Sequence, residues 1–184
     1  IRDVGLDVLR QACELLQRWS GAASTRTLRV AVNISPVQLQ DRGFAEAAAA
    51  LIQTARVDPS LLEFEVTESA LSHDTGGMIH NMEVLETLGV TWALDDFGTG
   101  YSSLSTLRTL PVRKLKIDRQ FVEAATHQES ARHLLGKIIE ISQVMGMSAL
   151  AEGVETPAQH ELLLGLGCEL FQGYLFGRPM PAEA

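Results

Sequence analysis

Thr91-Trp92-Ala93-Leu94-Asp95-Asp96-Phe97-Gly98 is a short apolar run that ends on two adjacent carboxylates. The first four residues suit a buried strand. The two aspartates after them would repel each other in an apolar setting and raise one pKa, unless cations neutralise them. A turn with solvated aspartates would explain the pair taken alone. The rest of the chain argues for more, because five other apolar runs also end on oxygen-bearing side chains. These are 28–33 ending at Asn33, 62–68 carrying Glu65 and Glu68, and 114–118 carrying Lys116 and Asp118. The last two are 148–155, carrying Glu152 and Glu155, and 170–173, carrying Gln172. A polar group at the same end of six strands describes a site on one rim of a sheet or barrel.

Strand-like and helix-like runs alternate throughout. Leu9, Cys13 and Leu16, with Ala12 and Trp19, give residues 4–19 the spacing of an amphipathic helix. Further helices are expected at about 36–56, 75–88, 102–109, 129–146 and 157–166. Two carry the same start signal, Ser35-Pro36-Val37-Gln38 and Thr156-Pro157-Ala158-Gln159. Each reads as a hydroxyl N-cap, a proline at the first helical position and a glutamine that completes a capping box. Near-continuous apolar strands joined by helices predict a parallel sheet covered on both faces.

The chain has 184 residues, 46% of them hydrophobic, enough for one domain with a substantial core. A net charge of −8 argues against a nucleic-acid polymer or an acidic membrane surface as partner. A phosphate-bearing ligand would instead have to be received by bound cations. No run of about 18 apolar residues occurs, so no membrane insertion is expected. Cys13 and Cys168 are far apart and read as free buried thiols, which fits a cytoplasmic location.

The strand ends offer oxygen donors and no histidine or thiolate; the five histidines fall in predicted loops or helices. That disfavours zinc and favours Mg2+ or Mn2+. Adjacent aspartates suit two ions about 3.5–4 Å apart. Lys116 alternates with Lys114 and Asp118 and reads either as a salt-bridged lysine or as a cation that steadies charge on phosphate. The two glycines of 97–103 permit a mobile loop beside the aspartates.

On these residues the chain resembles the EAL-domain family of bacterial cyclic di-GMP phosphodiesterases. The resemblance rests on Asn33-Ile34-Ser35, Glu63-Phe64-Glu65-Val66-Thr67-Glu68 and Asp95-Asp96-Phe97-Gly98-Thr99-Gly100-Tyr101-Ser102-Ser103. It continues through Lys116-Ile117-Asp118-Arg119, Ala151-Glu152-Gly153-Val154-Glu155-Thr156 and Gln172-Gly173-Tyr174-Leu175-Phe176-Gly177-Arg178-Pro179, and so covers essentially the whole chain. It implies an α/β fold, a TIM-like (β/α)8 barrel with one antiparallel strand. It also implies a site with two Mg2+ or Mn2+ ions that opens one phosphodiester to give linear pGpG. By position, Asn33, Glu65, Asp95, Asp96 and Glu152 are expected to ligate metal, with Lys116 and Glu152 catalytic. Glu155, Gln172 and Asp118 would line the substrate side. Glu68 would anchor the loop Phe97, Gly98, Thr99, Gly100, Tyr101, Ser102 and Ser103, which the resemblance links to a homodimer interface.

One departure bears on activity. The family's Glu-Ala-Leu motif, whose glutamate is a metal ligand, and its nearby arginine do not occur; Glu68-Ser69-Ala70-Leu71 is a look-alike elsewhere. Six strand–helix units are legible where a closed barrel needs eight. The expectation is an N-terminally incomplete EAL domain over 1–184, its first two strands missing, weak or inactive alone and fused in its parent to sensory or other signalling domains. The rival expectations are a catalytically inactive cyclic di-GMP receptor and, more remotely, another metal-dependent barrel enzyme such as a proton abstractor.

Overall fold

The computed structural model describes residues 2–72, 76–98 and 104–182. Six strands are hydrogen-bonded in sequence order: β1 (Val30–Asn33), β2 (Leu62–Thr67), β3 (Thr91–Phe97), β4 (Lys114–Ile117), β5 (Ser148–Ala151) and β6 (Leu170–Phe171). The α-helices are α1 (Arg2–Trp19), which precedes β1, and, between the strands, α2 (Pro36–Gln40), α3 (Phe44–Ala55), α4 (Gly76–Leu88), α5 (Leu104–Leu107), α6 (Arg119–His127), α7 (Glu129–Val144) and α8 (Pro157–Gly165). All six predicted strands are present, and the fold is the expected α/β arrangement of parallel strands. Two compact units divide the chain, residues 1–93 with 102–111 and residues 94–101 with 112–184.

In the first unit β1 and β2 run parallel with Asn33 opposite Glu65. Phe64 and Trp92 meet edge to face at 5.2 Å, and Trp92 Nε1 donates to the Met82 carbonyl at 3.1 Å. Both rings are fully buried, which contributes about 1.5–3 kcal/mol each. Helix α1 turns Leu9, Ala12, Cys13 and Leu16 into the core, as their spacing predicts. Both capping boxes are present: Ser35 and Thr156 each accept from the backbone of the glutamine three residues on, and that glutamine's side chain reaches back.

In the second unit β4 pairs with β5, and β5 with β6, all in parallel. Val122 and Ala125 of α6 and Leu135, Ile138 and Ile139 of α7 are buried there.

The predicted helix over 36–56 is two helices. Asp41 interrupts it: its Oδ1 accepts from Gly43 N at 2.9 Å, a local turn that competes with continued helix. Helix α6 has no counterpart among the predicted elements. The predicted helix over 102–109 is shorter, Leu104–Leu107, its first two residues lying outside the described ones. Cys13 and Cys168 are free and buried, as expected.

Candidate metal site

The geometry centres on Lys116. Its position near the end of β4 places a cation in a buried setting, and only 5% of its surface is exposed. Nζ lies 3.0 Å from Asp95 Oδ1 and 2.9 Å from Glu152 Oε1. A buried ammonium is tolerated only with such partners.

Asp95, Asp96 and Glu152 each offer a carboxylate oxygen within 4.8 Å of the others. Asp96 adopts a left-handed backbone, φ 54°, unusual for a residue with a side chain. Its N–H donates to Asp95 Oδ1 at 3.0 Å. Burial holds the Asp96 carboxyl above the usual carboxylate range; Asp95 and Asp118 add to the shift, and Lys116 opposes it. Three carboxylates gathered beside Lys116 form an acidic cluster of the kind a divalent cation neutralises. Its donors are all hard oxygens, so the residues fit a hard divalent cation.

Glu152 lies just past β5, its N–H donating to the Ile117 carbonyl at 3.1 Å. The next residue, Gly153, has φ 66°, and a Cβ there would overlap Arg119. Only glycine lets the chain pass the start of α6 so closely and leave Glu152 beside Lys116.

In the first unit Asn33, the last residue of β1, is exposed and lies opposite Glu65, which is buried two residues before the end of β2. Ile34 N donates to the Glu65 carbonyl at 2.8 Å, extending the pairing one residue beyond β1. Glu68 is buried at the start of a short 3-10 turn, Glu68–Ser72.

The remaining expected residues sit differently. Asp118 accepts from Gln120 N at 2.8 Å and caps α6, a structural task beside its electrostatic reach to Asp96. Glu155 is exposed, and its N–H donates to Gln159 Oε1 at 2.8 Å. Gln172 is exposed; its backbone bridges Ala151 and Val154 at 2.9 and 3.0 Å. Phe97 is half-buried and Gly98 is pressed against the Phe121 ring. Thr99, Gly100, Tyr101, Ser102 and Ser103 lie outside the described residues.

Glu63, to which the sequence assigns no role, is buried two residues before Glu65, and the Glu-x-Glu alternation puts both on one face of β2.

Residues 1–179 match the family model described as EAL domain. The chain belongs to the EAL domain family. It is 38% identical over 183 residues to the bifunctional diguanylate cyclase/cyclic di-GMP phosphodiesterase MucR of Pseudomonas aeruginosa, covering 100% of this chain and 27% of that protein. The chain thus spans about a quarter of that relative's length. The PaMucR phosphodiesterase in its c-di-GMP complex superimposes with a TM-score of 0.90 at 38% identity, over 98% of this chain and 73% of that one. The manganese/cy-diGMP complex of Klebsiella pneumoniae BlrP1 superimposes with a TM-score of 0.86 at 26% identity, over 97% of this chain and 45% of that one.

Proposed function

We propose that this chain contributes to a metal-dependent phosphodiesterase site that hydrolyses cyclic di-GMP to linear pGpG. The observation that carries the reading is the contact of Lys116 with both Asp95 and Glu152, with Asp96 in the same carboxylate cluster. Binding a nucleotide would not by itself require a buried lysine between two carboxylates. The family, and relatives named for cyclic di-GMP hydrolysis and manganese complexes, supply the substrate and the metal class.

Two divalent cations, Mg2+ or Mn2+, would supply neutralisation of the diester and Lewis acidity toward phosphate and water. Asp95, Asp96 and Glu152, with Asn33 and Glu65 by family motif, would hold them. Glu152 accepts the proton of the attacking water. Lys116 keeps Glu152 and Asp95 oriented and steadies negative charge developing on the phosphoryl oxygens. Water adds to one phosphorus, the P–O3′ bond breaks, and O3′ takes up a proton. Glu155, Asp118 and Gln172 are assigned to the substrate side and Glu68 to the base of the 97–103 loop.

The alternative is a cyclic di-GMP receptor without turnover. Incubation with cyclic di-GMP and Mn2+, followed by chromatography for pGpG, separates the two. Turnover by the 184 residues alone is expected to be weak. Tight binding with no pGpG from the longest natural protein containing them would support the receptor.

A further inference from the structure

Gln38 is buried in α2, yet its side chain does not serve only its own helix. Its Oε1 accepts from Ser35 N at 3.1 Å and from Ser35 Oγ at 2.9 Å. Its Nε2 has no hydrogen-bond partner among the described residues and sits where a side chain at position 5 would have to be. Position 5 is glycine, within α1. It lies in the first turn of that helix, where the close approach of the Gln38 amide leaves no room for a Cβ. The far end of α2 is also held, since the buried Asn81 side chain donates to the carbonyls of Leu39 and Asp41 at 2.7 and 3.0 Å. Helix α2 is thus a wedge fixed at both ends, and its first turn follows directly on Ile34 and Asn33.

We propose that Gln38 is a positioning residue for Asn33: seated on Gly5, it fixes the Ser35 backbone and thereby the presentation of Asn33 to a divalent cation. This rests on the reading of Asn33 as a metal ligand. It adds that the seating of α1, an element with no ligand of its own, is felt at the end of β1. A group that orients a ligand typically changes metal affinity by about 10–100-fold when removed.

The test combines Mn2+ affinity, read from the EPR signal of the free ion, with hydrogen exchange at the Ser35 amide in the metal-free full chain. Gln38→Ala should weaken Mn2+ about tenfold and expose the Ser35 amide to exchange. Gly5→Ala, which improves helix propensity while evicting the Gln38 amide, should move both readouts the same way. It carries the comparison if Gln38→Ala does not fold. Gln38→Glu, which keeps the acceptor, should restore Ser35 protection and bring affinity back to within about threefold of wild type. In an Asn33→Ala background, Gln38→Ala should change affinity less than about twofold, because the two act through one path. Unchanged affinity in Asn33→Ala would overturn the ligand assignment and the relay with it. Weakened affinity in Asn33→Ala with wild-type affinity in Gln38→Ala and Gly5→Ala would overturn the positioning role alone. Full additivity in the double variant would show Gln38 to be merely structural.

Discussion

The Lys116 ammonium stands 2.9 Å from the Glu152 carboxylate, joining the end of β4 to the residue that follows β5. The pair is in register with the sheet, since Ile117 lies opposite Ala151 and the Glu152 N–H donates to the Ile117 carbonyl. Backbone pairing of β4 with β5 therefore brings this ammonium and this carboxylate together; the roles of base and orienting cation are those proposed above.

Replacing that cation separates stability from metal binding. Lys116→Met leaves Asp95 and Glu152 without their shared partner and should destabilise the metal-free protein by on the order of 1–3 kcal/mol. Mn2+ should then raise the melting temperature more than in wild type, while turnover falls at least about 100-fold. Thermal melts with and without Mn2+, alongside pGpG assays, check both parts.

Asp96 should show the opposite trade. Its left-handed backbone costs an ordinary residue roughly 1 kcal/mol, which glycine avoids. Asp96→Gly is expected to raise the denaturation midpoint of the metal-free protein and abolish stabilisation by Mn2+. Denaturant titration in EDTA and in Mn2+ distinguishes the two effects.

Gln159 repeats at α8 what Gln38 does at α2, accepting from Glu155 N and Thr156 N at 2.8 and 3.0 Å. Gln159→Ala should cost about 1 kcal/mol of stability. If Glu155 lines the substrate side, KM for cyclic di-GMP should rise more than kcat falls. Steady-state kinetics at fixed Mn2+ reads the split.

Burial pushes the Cys13 thiol up to about 11, with Glu14 adding to the shift. On raising the pH, the unfolded chain releases this proton first and so binds fewer protons than the folded one. Stability present below about pH 9 is therefore lost progressively toward about pH 11. Relative to Cys13→Ala, wild type should lose stability across that window and not below it, which urea midpoints at a series of pH values will show.

The strand ends were legible because a parallel strand buried on both faces is a nearly unbroken apolar run, and a carboxylate at its end stands out. Ser35 and Thr156 marked two helix starts because a hydroxyl, a proline and a glutamine meet three requirements at once. Helix α6 is not legible because Asp118 reads as a site carboxylate, and only the structure shows its side chain also capping the helix through Gln120. The break at Asp41 was hidden by the apolar, alanine-rich stretch that follows. Gln38 was recognised as a cap but not as a wedge, because only the packed structure brings Gly5 against it. The distances among Lys116, Asp95 and Glu152 likewise depend on register, which composition does not report.

The function proposed for the cluster of Asp95, Asp96, Lys116 and Glu152 is hydrolysis, beyond binding of a nucleotide. Its most direct test is single-turnover pGpG formation from cyclic di-GMP at saturating Mn2+, in the longest natural protein containing these residues, wild type against Glu152→Gln. Wild type is expected to form pGpG, and Glu152→Gln to lose at least about 100-fold with cyclic di-GMP still bound. Cyclic di-GMP bound by wild type and returned intact, or a Glu152→Gln rate near wild type, would contradict it.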